Sequence, residues 1–95
     1  LFKFPPFAEL AVFTYSDEDS ARAAEVAREG AEQFAAALVR TGLEGIRLQG
    51  PTPAFIHRLR GEYRWQITVR GERLERARLL QPRGRGWSID IDPVL

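Results

Sequence analysis

Strict alternation of apolar and polar residues is clearest in residues 63–70. It predicts a strand with one apolar face and one polar face; the apolar members are Tyr63, Trp65, Ile67 and Val69, and the polar members are Arg64, Gln66, Thr68 and Arg70. Similar but shorter patterns predict three more strands, over residues 8–15, 46–49 and 87–92. Residues 8–15 are apolar on both faces, which favours a central strand. The turn-forming sequence G-P-T-P at residues 50–53 is expected to end the second strand.

Two segments have apolar residues at helical spacing. In the first, which ends at about residue 40, Ser16 is the expected N-cap and the acidic residues 17–19 suit a helix N-terminus. Gly42 is typical of the position just after a helix. Its apolar stripe comprises Ala24, Ala27, Ala31, Phe34, Ala35 and Leu38. The second segment, residues 72–80, predicts a short amphipathic helix.

The predicted elements follow the order β-α-β-β-α-β in one domain spanning residues 1–95. Right-handed crossovers place two helices on one face of a four-stranded antiparallel sheet, the ferredoxin-like α+β fold. The other face of this sheet is left open for a ligand. Residues 1–7 form a proline-containing segment that leads into the domain. Because methionine is absent even at position 1, we expect a domain cut from a longer protein.

The residue types argue against chemistry by the chain alone. It has one histidine and no cysteine, so it lacks a histidine pair or a thiolate for zinc, and it has no phosphate-binding glycine loop of the Walker type. Asp90 and Asp92 are expected to solvate a strand face rather than to hold a metal. We therefore predict no enzymatic activity and no cofactor. No apolar run is long enough to span a bilayer, and the expected location is cytoplasmic, with no membrane partner.

Charge is unevenly distributed along the chain. Residues 1–45 carry four basic and eight acidic groups, whereas residues 46–95 carry ten arginines and five acidic groups. Arginine suits phosphate contacts, so the basic hairpin that follows the prolines is a candidate DNA-binding site, although a solvated loop explains the same charges. The candidate residues are Arg58, Arg60 and Arg64, helped by Arg83 and Arg85. Trp65 and Trp87 share faces with apolar residues, which indicates core packing rather than base stacking.

Four motifs in the same order resemble the C-terminal domain of the PriA-type primosomal helicases (primosomal protein N′). They are P-P-F at residues 5–7, G-P-T-P-A at 50–54, R-L-R-G-E-Y-R-W-Q at 58–66 and W-S-I-D-I-D-P at 87–93. The sequence departs from the family pattern at Glu62, where a basic or neutral residue is usual, and in a shortened segment over residues 72–86.

The resemblance implies a role in restarting bacterial replication at abandoned forks, close to the nucleoid. The whole family protein recognises branched DNA and unwinds it with 3′→5′ polarity, using ATP that is hydrolysed by helicase lobes outside this chain. The C-terminal domain is implicated in binding forked or single-stranded DNA and the acidic tail of single-stranded DNA-binding protein. For that tail, the resemblance points to Arg73 and Arg76.

Two other functions stay open. In the first, the domain is purely architectural and packs on the remaining helicase domains of its parent. In the second, it is a free-standing ferredoxin-like RNA-binding domain. That alternative is disfavoured, because the open face of the strand at residues 63–70 lacks the aromatic residues that stack on bases in RNA-recognition motifs.

Overall fold

The computed structural model describes residues 9–42, 45–71, 74 and 84–93, which form one helix and four strands. The elements are β1 (Glu9–Asp17), α1 (Ser20–Thr41), β2 (Arg47–Leu59), β3 (Glu62–Gly71) and β4 (Trp87–Pro93). The expected α+β class with an antiparallel sheet is confirmed. The predicted segment at residues 1–7 and, apart from Leu74, the predicted helix at residues 72–80 lie outside the described residues.

The four strands form one antiparallel sheet in the order β2-β3-β1-β4. β1 pairs with β3 along its whole length, from Glu9 opposite Gly71 to Asp17 opposite Tyr63. Its other side pairs with β4. The apolar composition of this strand thus reflects a central position in the sheet, as the sequence predicted.

The core lies between α1 and one face of the sheet. Alternate residues of the two central strands supply the sheet side, and the rings of Phe13 and Phe34 meet with centroids 5.3 Å apart. Trp87 is half-buried and packs against this core, and Trp65 is also half-buried. The buried cluster comprises Ala11, Phe13, Ala31, Phe34, Leu38, Ile67, Val69 and Leu74. None of the described helices is long and apolar enough to cross a membrane.

The start of α1 differs from the prediction. The N-cap is Asp19, whose extended backbone and side-chain bond to the Arg22 N–H at 3.0 Å satisfy the first helical turn. Ser16 does not cap, because its N–H donates to the Gly86 carbonyl at 3.0 Å and β1 continues through it. At the other end, Gly42 takes the predicted left-handed conformation with φ of 71°.

The buried stripe of α1 is also shifted. Ala27, Ala31, Phe34 and Leu38 are buried as expected, but Ala35 is exposed and Ala24 only half-buried, and their places are taken by Ala23, Gly30 and Ala37. Alanines occur on several faces of this helix, so the sequence pattern could not set its rotation.

β2 does not stop at the prolines, contrary to the prediction. It runs on to Leu59, with irregularities between Gln49 and Thr52 and between Pro53 and Arg58. β2 is an edge strand of the described sheet, where a proline can face away from the ladder without losing a hydrogen bond. Gly50 makes the first irregularity possible, because its φ is 108° and a Cβ there would lie 2.8 Å from the Gln66 carbonyl oxygen.

Candidate nucleic-acid interface

A two-residue turn at Arg60 and Gly61 forms the tip of the β2–β3 hairpin. Both residues have positive φ, 54° and 82°, and the flanking Leu59 and Glu62 are paired. Positive φ at both positions is typical of a type I′ turn, whose twist matches that of antiparallel strands. Arg60 therefore holds a conformation that favours glycine or asparagine, with its side chain exposed at the tip.

Arg58 lies on the aromatic side of the hairpin. Its guanidinium carbon is 5.3 Å from the centroid of the Tyr63 ring, which is within cation–π range. The centroid of the His57 ring lies 5.6 Å from that of Tyr63 and 5.6 Å from that of Trp65, so aromatic contacts continue along the hairpin. The contact orders the guanidinium while the Arg58 side chain remains exposed. Such a pre-ordered cation loses less conformational freedom when it binds an anion.

Arg64 is separated from Arg58, because consecutive strand residues point to opposite faces and Arg58 shares the face of Tyr63. Arg64 alone opposes the irregular stretch of β2 between Pro53 and Arg58. It holds this stretch twice: its carbonyl accepts from His57 Nδ1 at 2.8 Å, and its Nη1 donates to the Ile56 carbonyl at 3.2 Å. The three predicted hairpin arginines thus do not form one patch, and part of the Arg64 guanidinium is used by the fold.

Three cross-strand pairs of β2 and β3 lie on the sheet face away from α1. We call these six residues the polar track; they are Arg47 with Arg70, Gln49 with Thr68, and Thr52 with Gln66. Both arginines are exposed, as are Gln49 and Thr52. A groove of about 400 Å³ follows one end of the track, lined by Arg47, Leu48, Gln49, Thr68 and Arg70.

Ion pairs among the described residues are confined to β1 and α1. Arg22 pairs with Asp17 at 2.9 Å, and Arg28 pairs with both Glu25 and Glu32. Residues 47–71 carry five arginines and one acidic residue, whereas residues 9–42 carry three arginines and seven acidic residues. None of the five arginines is ion-paired within the described part of the chain. Within the described part of the chain, the β2–β3 hairpin is therefore the basic region, which favours contact with anions.

Arg85 lies in a different setting from the hairpin arginines. It lines a cleft of about 470 Å³ together with Asp17, Glu18 and Glu62, among other residues. The hydrogen bond from the Arg22 guanidinium, followed by those from the Asp19 N–H and the Tyr15 hydroxyl, holds the pKa of Asp17 well below its usual range. This cleft therefore keeps negative charge, which makes Arg85 the least favourably placed of the described candidate arginines for a phosphate.

A family comparison agrees with the motifs on the hairpin and on β4. The family described as the primosomal protein N C-terminal domain matches residues 1–94 of the 95. The chain belongs to this family. Comparison with curated proteins finds no significant match.

Membership in the primosomal protein N C-terminal domain family confirms the resemblance seen in the sequence. It assigns the domain to the primosomal machinery of DNA replication restart, as a non-catalytic C-terminal domain. Three of the four motifs lie in described elements: residues 50–54 in β2, residues 58–66 across the hairpin tip, and residues 87–93 in β4. The motif at residues 50–54 shapes the edge strand.

Some of the candidate residues fall outside the described part of this primosomal domain. These are Arg83 of the second basic loop and Arg73 and Arg76, the candidates for the acidic tail. DNA binding by Arg58, Arg60, Arg64 and Arg85 also stays a prediction.

Sequence reasoning missed most of the polar track as a site. It placed Gln66, Thr68 and Arg70 on the open face but selected for DNA only the hairpin arginines and the two loop arginines, Arg83 and Arg85. The signal for Arg47 was the alternation in I-R-L-Q, which puts Arg47 and Gln49 opposite Ile46 and Leu48. Both apolar residues pack against the core, so Arg47 and Gln49 face outward. The register that brings Arg47 opposite Arg70 could not be obtained from spacing.

No group of three metal-ligating side chains occurs within the described residues. Asp90 is exposed on β4, opposite Val12 of β1, as expected for a residue on a solvated strand face. The side chain of its neighbour Asp92 lies outside the described set.

Proposed function

We propose that the domain binds DNA through the β2–β3 hairpin and docks partners of a PriA-type replication restart protein at forks. The observation that carries this is the concentration of five arginines and one acidic residue in residues 47–71, with no ion pair to those arginines among the described residues. Phosphate contacts need such uncompensated cations but no fixed sequence spacing. Arg58 and Arg60 are the strongest candidates, because both are exposed near the tip.

The proposal is tested with fluorescence anisotropy on forked, duplex and single-stranded DNA at two salt concentrations. The hairpin variant combines Arg58→Gln with Arg60→Asn, since asparagine tolerates the left-handed turn conformation. We expect the salt slope on duplex DNA to fall by about 1.8 for two lost phosphate contacts. The matched control combines Arg28→Gln and Arg40→Gln on α1, which removes the same charge from another surface and should leave most of the affinity.

Binding by the hairpin variant that equals the wild type would contradict the proposed contact. If the wild-type chain binds none of the three DNAs, the DNA-binding function itself is refuted.

Docking of the acidic tail of single-stranded DNA-binding protein is the second part of the proposal. Arg73 and Arg76 are assigned to it on the family resemblance alone. An acidic tail peptide should bind the wild-type chain and lose affinity for the Arg73→Gln/Arg76→Gln variant. Unchanged peptide affinity in that variant would remove this assignment. In this proposal, ATP hydrolysis and 3′→5′ unwinding belong to other domains of the parent, which acts in the bacterial cytoplasm at the nucleoid.

We also propose that the complete fold is ferredoxin-like, with a second helix over residues 72–80 beside α1. Support comes from the strand order β2-β3-β1-β4 and from Leu74, which is 1% exposed within the core. Strand-like backbone chemical shifts over residues 75–80 in an NMR spectrum would refute this helix.

An architectural role is the second candidate, and a specific observation favours it. Ile56 and Leu59 are 51% and 42% exposed beside the hairpin tip. A patch of exposed apolar side chains is typical of a contact surface, and these two residues are the candidates for such a patch. If this role is correct, Ile56→Ser weakens association of the chain with the remaining helicase domains, while the hairpin variant leaves DNA affinity unchanged.

A further inference from the structure

The Arg47–Arg70 pair is unusual for a sheet, because it places two cations directly opposite each other. They are register partners of β2 and β3, and both side chains are exposed. Directly opposed side chains lie about 5 Å apart at Cβ, and like charges at that distance destabilise the pairing. No described acidic residue forms an ion pair with either arginine. A bound anion would compensate the repulsion, and the adjoining groove of about 400 Å³ leaves space for it.

Polar donors continue from this pair along the strands. Gln49 with Thr68 and Thr52 with Gln66 follow on the same face, which extends the polar track over about 13 Å of β3. Amide and hydroxyl groups of this kind contact phosphate and sugar oxygens. Arg64 stands beyond the last pair and keeps guanidinium donors that its bond to the Ile56 carbonyl does not use.

The opposite edge of the same face carries negative charge. Asp90 of β4 lies in the row that runs through Val12 to Thr68, two strand spacings or about 10 Å away from β3. Its side chain is exposed. A polyanion on this face is therefore attracted to β2 and β3 and repelled from β4. This distribution of charge favours a polyanion that lies along β2 and β3 over one that lies across the sheet.

We infer that the polar track binds the phosphate backbone of one nucleic-acid strand. The bound strand runs along β2 and β3, and binding does not depend on its base sequence. The inference rests on the proposed DNA-binding function and adds a second surface to it, on the sheet face rather than at the hairpin tip. The six track residues include no aromatic side chain on which a base could stack. Among the described residues that line the groove, Leu48 is the one apolar residue, and it packs against the core, so this part of the chain offers an acidic peptide no pocket for apolar side chains.

The test uses the 95-residue chain and a track variant, Arg47→Gln with Arg70→Gln. The probes are oligo(dT), oligo(dA) and a polyglutamate peptide of equal length. Binding of each probe is measured by fluorescence anisotropy over a series of salt concentrations. We expect equal affinity for the two oligonucleotides, weaker binding of the peptide, and a salt slope on oligo(dT) that falls by about 1.4 in the track variant. Between about 50 and 200 mM salt, the affinity ratio of wild type to track variant should shrink roughly sevenfold. The Arg28→Gln/Arg40→Gln variant is the charge-matched control.

Thermal unfolding distinguishes an arginine pair that binds an anion from a pair that only stabilises the fold. With no ligand, Arg70→Gln should unfold at the same temperature as the wild type or at a higher one, because it removes a repulsion. Oligo(dT) should raise the unfolding temperature of the wild type more than that of Arg70→Gln. A lower unfolding temperature for Arg70→Gln without ligand would show that the pair is satisfied within the protein, and would overturn the inference.

The outcomes separate this inference from the proposed function. Forked-DNA binding that depends on the hairpin, with unchanged oligo(dT) binding by the track variant, overturns the track and leaves the hairpin. Loss of oligo(dT) binding in the track variant, with a neutral hairpin variant, supports the track and overturns the hairpin assignment. Tighter binding of polyglutamate than of oligo(dT) overturns the nucleic-acid assignment in favour of an acidic peptide. A wild-type chain that binds no DNA overturns both.

Discussion

Gly50→Ala should destabilise the domain strongly, because two separate costs coincide at this position. Gly50 has φ of 108°, where residues with a side chain are strained by about 1–3 kcal/mol. In addition, a Cβ would lie 2.8 Å from the Gln66 carbonyl oxygen and 3.2 Å from the Thr52 nitrogen. Both neighbours are backbone atoms that cannot rotate away, so relief requires movement of β2 against β3, at about 1–3 kcal/mol more.

Gly84→Ala is the matched control for this experiment. Gly84 has a similar φ of 125°, but no atom of the described residues lies within 4 Å of its added Cβ. It therefore bears the conformational cost without the collision. The free energy of unfolding should fall by about 1–3 kcal/mol for Gly84→Ala and by about 2–6 kcal/mol for Gly50→Ala. For a domain whose total stability is of order 5–15 kcal/mol, the larger loss is readily measured.

Urea unfolding of the wild type, Gly50→Ala and Gly84→Ala measures the conformational cost and the cost of the collision. The midpoint urea concentration should shift while the dependence of the unfolding free energy on urea stays constant. Equal losses in Gly50→Ala and Gly84→Ala would refute the collision, and would mean that β2 relaxes freely at its first irregularity. Gly50→Ala also moves Gln49 and Thr52 relative to Gln66, so oligo(dT) affinity should fall in this variant and not in Gly84→Ala.

Three further changes test the core, the β1–α1 junction and the turn. Phe34→Ala should lower the free energy of unfolding by about 3–5 kcal/mol, since the ring is fully buried against Phe13. Urea unfolding measures this loss, and a loss below about 1 kcal/mol would contradict the packing of the ring. Asp17→Asn should remove stability that is present above about pH 4 and is lost as pH falls through the lowered pKa of Asp17 in the folded state. The unfolding curves of the variant and the wild type should therefore converge in acid. A difference in stability that stays constant from neutral to acid pH would contradict this. Arg60→Asn should raise the unfolding free energy by about 1 kcal/mol, because asparagine tolerates φ of 54° better; a loss of stability would show that the Arg60 side chain has a structural contact.

The Asp17 experiment has an internal control in Glu25. The pKa of Glu25 is also lowered by an arginine, Arg28, but that pair lies on the exposed surface of α1. Exposed helix pairs contribute little, so Glu25→Gln should leave the pH dependence almost unchanged. Asp17 differs because it accepts from Tyr15, Asp19 and Arg22 together.

Local patterns predicted the elements best where apolar residues lie on one face of an element and polar residues on the other. Alternation over residues 63–70 set β3 and the orientation of Ile67 and Val69, because each apolar residue alternates with a polar one. The alanine-rich helix lacked that contrast, and although Ala27, Ala31, Phe34 and Leu38 were predicted correctly, Ala24 and Ala35 were wrongly placed on its buried face. At β2 the prolines indicated a break, but an edge strand accommodates them.

The sequence by itself determined the α+β class, the central first strand, the family and the basic character of the chain's second half, since these depend on composition, periodicity and ordered motifs. Only the tertiary structure decided which cations face which surface. Strand register set Arg47 opposite Arg70, and it set Arg58 opposite Tyr63, which puts Arg58 on the other face from Arg64. The physical reason is that a one-residue change of register moves a side chain to the other face of a sheet. Spacing along the chain carries no information about register between strands, so the polar track became visible only once the strands were paired.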